Sequence, residues 1–334
     1  MKQSICVLGD GAWGTAIAVL LANNGHSVNL WCNDESVART IAHHGCNDRY
    51  LSGITLPNTI TPTIDIAQAM QGARWIFEAV PVKFLRVTVE KAKPYVTADQ
   101  AWIVLSKGIE KDTLMLPSQI IDAVLGYTAT QAVFSGPSFA RDLAHKKITA
   151  ATLAVTDYQV SSDLIALLAN SYFRPYISYD MLGAQLGGAL KNVVALAIGM
   201  LDGASYTDNT KTFILARGLQ EMIMLTRALG GQHQTVYGLS GLGDLVLTCM
   251  GSLSKNLAVG KQLGAGRTLD QLIAQSGAIP EGVNTVVSVN QLALKLNLSL
   301  PLFQGVYRII FESSSLDALL NDLMSQPLEH ECTL

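Results

Sequence analysis

The sequence predicts an α/β protein, with a doubly wound parallel sheet domain over residues 1–180 followed by an all-α domain over residues 181–334. Up to about residue 180, short β-branched runs alternate with helix-like patterns, which is typical of parallel strands joined by crossover helices. After Ser178 the helical pattern continues and strand candidates disappear. The chain of 334 residues is also long enough for two cores, since single cores stop growing at roughly 250–300 residues.

The predicted strands of the sheet each stop abruptly in glycine, proline or a polar residue. They cover residues 4–8, 27–31, 73–80, 101–105 and 131–134, with two further strands, 149–155 and 174–178, at the far edge. In an open parallel sheet, ligands bind in the crevice beyond the carboxyl ends of the strands. The residues that follow these strands are therefore expected to face one ligand.

Helices are predicted between the strands and throughout the second domain. They cover residues 15–24, 35–44, 84–93, 116–125 and 160–170, and then 186–201, 210–229, 255–263, 269–276, 285–296 and 302–311. Gly, Asp and Pro separate the helices of the second domain, as expected for turns between packed helices.

The composition excludes several classes of function. With 49% hydrophobic and 15% charged residues, the chain has the composition of a well-buried globular protein. A formal net charge of −3 without a basic run argues against a nucleic-acid or membrane surface. The longest apolar stretch, near 193–201, is far shorter than the roughly 20 residues that span a bilayer, and no apolar signal region precedes the first strand. We therefore expect a soluble protein with no nucleic-acid partner and no membrane insertion.

The five cysteines are scattered and form no C-x-x-C pair. Reduced thiols in a cytosolic core are expected rather than disulfides or zinc ligands. His43 and His44 are the only adjacent histidines, and neighbours in a helix point to different faces. We assign no metal site.

A glycine-rich turn follows the first predicted strand and opens the first helix, at Gly9, Gly11 and Gly14. In a Rossmann-like domain the first glycine permits the tight turn, the second lets a pyrophosphate approach the backbone, and the third lets helix and strand pack closely. The N–H groups and the dipole at the helix start favour the anion. The turn therefore predicts a site for NAD or NADP.

The sequence leaves the choice between the two cofactors open. Asp34 has the spacing of a carboxylate that binds the ribose 2′-hydroxyl of NAD, but it can equally be the cap of the helix that starts at Glu35. Asn33 is polar and uncharged and suits either cofactor.

Two lysines lie at positions with a possible chemical role. Lys107 follows a buried strand, where a lysine is usually a solvated loop residue, but there it can also bind an anionic or carbonyl oxygen in the crevice. Lys191 is the only charge in an apolar helix. It can snorkel to the surface, or desolvation and a second cation can lower its pKa toward that of a general base. Gly187, Gly188 and Ala195 predict room beside it for a flat ligand.

Other polar residues have both a structural and a functional interpretation. Asp244 follows a glycine-rich turn and is either a helix N-cap or a carboxylate that orients Lys191. The segment Ser254–Asn256 is either a capped and solvated start of a helix or a phosphate-binding site.

The segment 136–140 follows the fifth strand and is either a rigid turn or a source of hydroxyl and backbone donors for the crevice.

Together these segments resemble bacterial NAD(P)-dependent glycerol-3-phosphate dehydrogenases over nearly the whole chain. The resemblance lies in residues 9–24, 106–108, 135–140, 186–194, 209–222, 241–249, 254–256 and 281–282. It implies a cytoplasmic homodimer that interconverts sn-glycerol 3-phosphate and dihydroxyacetone phosphate with NAD or NADP and supplies phospholipid synthesis.

The resemblance also implies roles for single residues. Lys191 matches the proton acceptor, and Lys107 the second substrate-binding lysine, which also contacts the cofactor. Asp244 matches a substrate-contacting position, and there it would also hold Lys191 in place as a catalytic residue. The remaining substrate contacts are Gly136, Ser138, Ser254, Lys255 and Asn256. The nucleotide contacts, besides the three glycines, are Ala12, Trp13, Asn33, Ala140, Lys255, Ile279 and Glu281.

Two positions depart from the family pattern. Lys255 stands where the family commonly has Arg, so a bidentate fork is replaced by a point charge. Asn33 stands where the family often has Arg or His, which bears on the choice between NADP and NAD. Two other functions are compatible with the same architecture. One is a dehydrogenase that acts on another small hydroxy acid. The other is a sensor that binds NAD(H) without catalysing a reaction.

Overall fold

The computed structural model of the chain describes residues 4–276 and 280–327. The first elements in chain order are β1 (Ser4–Leu8), α1 (Ala12–Asn23), β2 (Ser27–Trp31), α2 (Glu35–His44), β3 (Cys46–Asn47), β4 (Leu51–Thr55), β5 (Ile60–Thr63), α3 (Ile66–Met70), β6 (Trp75–Glu78), α4 (Val82–Ala92), β7 (Ala101–Val104), α5 (Pro117–Leu125), β8 (Thr130–Ser135), α6 (Ala140–Ala144), β9 (Thr149–Val155), α7 (Tyr158–Leu168) and β10 (Phe173–Ser178). The helices that follow are α8 (Met181–Gly203), α9 (Asp208–Ala228), α10 (His233–Val236), α11 (Asp244–Met250), α12 (Lys255–Gly264), α13 (Leu269–Ser276), α14 (Glu281–Leu296), α15 (Pro301–Phe311) and α16 (Leu316–Met324).

Eight strands form one sheet in the order β10-β9-β8-β7-β6-β1-β2-β5, and β3 pairs with β4 in a separate hairpin. The sheet grows outward from β1 to β2 and β5, and the chain then returns to place β6 on the other side of β1. The strand order therefore reverses between β1 and β6, which is where an open α/β sheet binds its ligand. The predicted fold class, a doubly wound sheet followed by helices, is confirmed.

The sheet is mixed rather than wholly parallel, because β9 runs antiparallel to β8. The helix between them, α6, has five residues and rises only about 7.5 Å, whereas a six-residue strand spans about 20 Å. It is too short to carry the chain back along β8, so β9 starts at the end where β8 stops.

Both faces of the sheet are buried. Ile5 and Val7 point into one apolar cluster, and Cys6 and Leu8 point into another on the opposite face. This alternation follows from the two-residue period of a strand. Helices cover both sides, and for that reason β1 is apolar along its whole length.

Helix α8 is the central helix of the second half and is buried on nearly every side. Its backbone comes into direct contact with the backbone of α12 at several glycines. A Cβ on Gly199 would lie 2.3 Å from the Leu257 carbonyl oxygen, and one on Gly264 would lie 1.9 Å from that of Met200. A side chain at either position would clash with the backbone of the other helix. Glycine is therefore required at these contacts, and it lets the two backbones touch.

Among the described residues, α8 is the single unbent helix long and apolar enough to cross a bilayer. However, 89% of its apolar window is buried inside the protein. The helix is therefore placed as the core helix of a folded domain.

A helix is present at every predicted helical position, with ends that differ by a few residues. The sequence did not predict the β3–β4 hairpin, β5, α3, α6, α10 or α16. Strand β10 ends at Ser178 and α8 begins at Met181. That residues 1–180 and 181–334 are separate domains stays a prediction.

Candidate active site

A cavity of about 520 Å³ opens where the sheet order reverses. Its walls come from the turns after β1, β6, β7 and β8, from the hairpin residues 50–52, and from the starts of α12 and α14. Both halves of the chain therefore contribute to one cleft. The cleft is lined by Ala12, Trp13, Lys107, Ser138, Ala140, Lys255, Asn256 and Glu281, among the residues that the sequence analysis named.

The glycine turn at one end of the cleft has the geometry that a dinucleotide requires. Gly9 has a φ of +118°, which favours glycine, and a Cβ on Gly14 would lie 2.0 Å from the Gly9 carbonyl oxygen. A Cβ on Gly11 would meet no atom within 4 Å, so the backbone there is open to a ligand. Helix α1 starts at Ala12 without a side-chain cap or an acidic residue in its first turn. Its N–H groups can therefore receive a pyrophosphate, and the turn fits the predicted cofactor.

The polar residues after β2 are placed as follows. One Asp34 oxygen accepts hydrogen bonds from the Ser36 backbone N–H at 2.8 Å and from its hydroxyl at 2.6 Å, so Asp34 caps α2. The other oxygen pairs with the Arg49 guanidinium, which the hairpin presents. These Ser36 bonds and, to a smaller extent, Arg49 lower the pKa of Asp34. Asn33 is exposed, outside the residues that line the cleft. Arg49 was not singled out in the sequence, because it lies on a hairpin that the sequence did not predict.

Two lysines from different halves of the chain meet at one carboxylate. The Lys107 amine lies 2.6 Å from one oxygen of Asp244, and the Lys191 amine lies 2.5 Å from the other. The side chain of Asp244 is 2% exposed and that of Lys191 is 9% exposed. Lys191 therefore does not snorkel to the surface, and Asp244 uses its carboxylate for the lysines rather than for a helix cap.

The surroundings of Lys191 favour a neutral amine. Burial lowers its pKa to about 8; Asp244 opposes this shift and the positive charge of Lys107 adds to it. The Lys191 amine also donates to the Thr248 hydroxyl at 2.8 Å, and that hydroxyl donates to the Asp244 carbonyl at 2.6 Å. Thr248 was missed in the sequence, although its position four residues after Asp244 puts the two on one face of a helix.

The expected room for a flat ligand beside Lys191 is filled by protein, so that expectation was wrong. A Cβ on Gly188 would lie 2.7 Å from the Ser135 hydroxyl and 3.3 Å from the Lys107 side chain. A Cβ on Gly187 would lie 2.5 Å from the Ser240 carbonyl oxygen. These glycines instead let the Lys107 side chain and the turn before α11 approach α8.

The start of α12 combines a cap with two cleft residues. The Ser254 hydroxyl accepts a hydrogen bond from the Leu257 N–H at 3.2 Å, so its observed contact is that of a helix cap. Asn256 is buried and donates to the Asn192 side chain at 3.0 Å. Lys255 is exposed and lines the cleft. It makes no ion pair within the described ranges, so its charge is available to an anion.

Of the remaining named residues, Ser138 and Glu281 line the cleft, and Gly136 contacts two residues that line it. The Gly136 carbonyl accepts hydrogen bonds from the Lys107 amine at 3.3 Å and from the Ser138 hydroxyl at 2.9 Å. Burial raises the pKa of Glu281, at the start of α14, to about 7. Ile279 lies outside the described residues. Across residues 4–276 and 280–327, no three His, Cys, Asp or Glu side chains converge as metal ligands.

A glycine turn that fits a pyrophosphate, and a buried amine of lowered pKa that Asp244 joins to the cleft residue Lys107, indicate a NAD(P)-dependent dehydrogenase. Comparison with known proteins narrows this class. The family model of the NAD-dependent glycerol-3-phosphate dehydrogenase N-terminus matches residues 4–161, and the model of its C-terminus matches residues 180–321. The chain belongs to this family.

Individual relatives are similar to this chain over nearly their full lengths. The chain is 38% identical to glycerol-3-phosphate dehydrogenase [NAD(P)+] of Syntrophotalea carbinolica, covering 98% of this chain and 99% of the relative. It is 39% identical to the Chlorobium phaeobacteroides protein of the same name, with the same coverage. The crystal structure of glycerol-3-phosphate dehydrogenase from Coxiella burnetii superposes with a TM-score of 0.92 at 34% identity, covering 97% of this chain and 99% of that one. D-mandelate dehydrogenase, at 12% identity and a TM-score of 0.64, shares the fold alone.

Proposed function

We propose that this enzyme interconverts sn-glycerol 3-phosphate and dihydroxyacetone phosphate with NAD or NADP as the cofactor. The observation that carries the proposal is the contact of the Lys107 and Lys191 amines with Asp244, since Lys107 lines the same cleft as Lys255 and Asn256. This arrangement offers a base for a hydroxyl group and a cation for a phosphate.

One group of residues is proposed to bind the cofactor. Gly9, Gly11 and Gly14, with Ala12 and Trp13, hold the pyrophosphate end of the cofactor at the start of α1. When bound, the nicotinamide ring supplies the hydride acceptor for the alcohol and the hydride donor for the ketone. The further cofactor contacts are proposed to be Asn33, Lys107, Ala140, Lys255, Ile279 and Glu281.

Lys191 is proposed to transfer the proton to and from the substrate oxygen. In the oxidation direction its neutral amine takes the proton of the substrate hydroxyl at carbon 2, and in the reduction direction its ammonium returns that proton to the ketone oxygen. Lys107 stabilises the negative charge that develops on this oxygen. Asp244 holds both amines in place and keeps Lys191 from becoming neutral at too low a pH.

The phosphate is proposed to bind at the start of α12 and at the turn after β8. Lys255 supplies a cation, Asn256 and Ser254 supply polar groups, and the helix dipole adds partial positive charge. Gly136 and Ser138 line the opposite wall of the crevice. The choice of substrate rests on this cation, because the carboxylate of a hydroxy acid offers Lys255 less negative charge and fewer acceptor oxygens than a phosphate does.

The finer biological setting follows from the family. We propose a cytoplasmic homodimer whose product, sn-glycerol 3-phosphate, supplies phospholipid synthesis. These statements rest on the family likeness.

Initial rates with dihydroxyacetone phosphate, followed by nicotinamide absorbance, test the proposal. Oxidation of NADH or NADPH that depends on this ketone is expected. A carboxylate analogue in place of the phosphate tests for another hydroxy-acid dehydrogenase, and equal rates on both substrates would contradict the phosphate assignment. Binding of NADH without turnover of either substrate would instead indicate a sensor.

A further inference from the structure

Glu78 is a buried carboxylic acid to which the proposed chemistry gives no part. It is the last residue of β6 and is 0% exposed, in the middle of the sheet. Its neighbours in the sheet are Leu8 of β1 and Val104 of β7. A buried carboxyl group is costly unless it is hydrogen-bonded, so its partners indicate what holds it there.

Each carboxylate oxygen of Glu78 accepts a hydrogen bond from a residue that lines the cleft. One accepts a hydrogen bond from the Val80 backbone N–H at 2.7 Å, and the other accepts one from the Ser106 hydroxyl at 2.6 Å. Val80 and Ser106 both line the cleft. The side chain therefore joins the turn after β6 to the turn after β7, next to the cleft.

The second of these turns carries Lys107, the residue after Ser106. The Lys107 amine must reach Asp244 at 2.6 Å and the Gly136 carbonyl at 3.3 Å. Both partners lie on other elements, so the contact depends on where the backbone at residue 107 is held. A displacement of about 1 Å in a catalytic group can cost a factor of about 100 in rate.

We propose that Glu78 is a positioning residue that holds Lys107, through Ser106, against Asp244. This inference rests on the proposed function, since it assigns Glu78 to the step in which Lys107 stabilises the substrate oxygen. Glu78 does not itself touch the substrate, because its side chain is covered by the turn that it holds.

The charges around Glu78 are consistent with a tight, specific bond to Ser106. Burial raises the pKa of Glu78 to about 7, the hydrogen bonds from Ser106 and Val80 oppose that shift, and the carboxyl of Glu281 on α14 adds to it. Glu281 lies against the same segment: its carboxylate would be 2.6 Å from a Cβ on Gly108. A Cβ at 108 would also lie 3.1 Å from the Val82 side chain, so the Ser106–Gly108 turn packs against both α14 and α4.

The test separates positioning from simple stability. Glu78→Gln and Ser106→Ala are each expected to lower kcat for dihydroxyacetone phosphate by about 10- to 100-fold. The Kd of NADPH, measured by tryptophan fluorescence, should change by no more than about twofold, because the glycine turn is untouched. Ser106→Thr keeps the hydroxyl and should retain most of the activity.

Double variants give the sharper readout. If Glu78 acts through Lys107, Glu78→Gln should cause no further loss of kcat in a Lys107→Ala background. Glu78→Gln combined with Ser106→Ala should likewise be no slower than the slower single variant. Losses that multiply in both combinations would overturn the proposal.

Glu221→Gln is a matched control. Glu221 is also 0% exposed and also holds two hydrogen bonds, from the backbone N–H groups of Leu302 and Phe303, but it lies outside the cleft. Its substitution should leave kcat unchanged. If Glu78→Gln does not fold, the Ser106→Ala and Ser106→Thr pair still decides, since a full kcat in Ser106→Ala would overturn the inference. A wild-type protein that does not reduce dihydroxyacetone phosphate would instead refute the proposed function.

Discussion

The amine of Lys191 and the carboxylate of Asp244 lie 2.5 Å apart, and both side chains are more than nine-tenths buried. Lys191 is brought to this contact by the core helix α8, and Asp244 by the first turn of α11. Lys107 binds the other oxygen of the same carboxylate, so Asp244 joins the amines of both lysines.

Substitution of Lys191 tests its role as the base. Lys191→Ala is expected to lower kcat by about 10²–10⁴-fold, the range typical of a lost general acid or base. Near-normal turnover in a correctly folded variant would remove Lys191 from the mechanism. Circular dichroism supplies the check on folding.

The pH dependence of the wild-type enzyme should follow the pKa of Lys191, which burial lowers to about 8. Oxidation needs the neutral amine, so its kcat should rise as pH increases through about 8. Reduction needs the ammonium, so its kcat should fall over the same range. Profiles of both directions that rise together would contradict this assignment.

Asp244→Asn should move these profiles to lower pH. Asp244 raises the pKa of Lys191, while burial and Lys107 lower it. Loss of the carboxylate leaves these two lowering effects opposed only by the smaller effect of Cys249. The oxidation profile should therefore begin to rise below pH 8. Asp202→Asn is the control, because Asp202 also pairs with two lysines, Lys211 at 2.9 Å and Lys261 at 2.6 Å, but outside the cleft. An unchanged profile in Asp244→Asn would show that the carboxylate does not tune Lys191.

Lys255→Arg should tighten the binding of phosphate-bearing ligands by several-fold, because a guanidinium forms two parallel hydrogen bonds where an ammonium acts as a point charge. The Michaelis constant for dihydroxyacetone phosphate measures the effect. Lys261→Arg, on the same helix and already paired with Asp202, should leave it unchanged. Equal constants for Lys255→Arg and the wild type would count against contact between Lys255 and the phosphate.

Arg49→Ala tests the choice of cofactor. The Arg49 guanidinium pairs with Asp34 after β2, where the 2′-substituent of the adenosine ribose binds in this fold. Its loss leaves the Asp34 carboxylate uncompensated, so the Kd of NADPH should rise more than that of NADH. Arg39→Ala removes an equal charge that pairs with Glu35 on α2 and should affect both cofactors alike. Equal weakening of both cofactors by Arg49→Ala would contradict a role in discrimination.

Glu221→Gln should change how stability depends on pH. Burial raises the pKa of Glu221 from 4.5 to about 7, so the folded state holds this proton more tightly than the unfolded state. Glu221 therefore costs the folded protein stability progressively as pH rises from about 4.5 to 7. Relative to wild type, the variant should gain on the order of 3 kcal/mol across that window. Urea unfolding at pH 5 and pH 8 measures the difference, and a constant difference would show that Glu221 does not titrate there.

The sequence predicted what local pattern encodes. Strands buried on both faces are continuous β-branched runs, so β1, β2 and β9 were placed with correct ends. The glycine turn was recognisable because its three glycines and the helix start are adjacent along the chain.

Contacts between residues far apart in the chain could not be predicted from the sequence. Lys107 and Asp244 are 137 residues apart, and their contact depends on how α11 packs against α8. The space beside Gly188 was misjudged for the same reason, since only the packed structure shows which group fills it. The Glu78–Ser106 bond, between the ends of neighbouring strands, had no local signal at all.

The glycine contact between α8 and α12 has a consequence for the length of molecule that the crevice accepts. Lys191 projects from α8, and Lys255 and Asn256 begin α12, so the spacing of these groups is fixed by two backbones in direct touch. No side chain lies between the helices at these contacts to act as a compressible spacer. If the substrate oxygen binds at Lys191 and the phosphate at Lys255, as proposed, the packing of these helices sets the distance between the two groups. An alcohol one carbon longer would then have to bend in order to reach both.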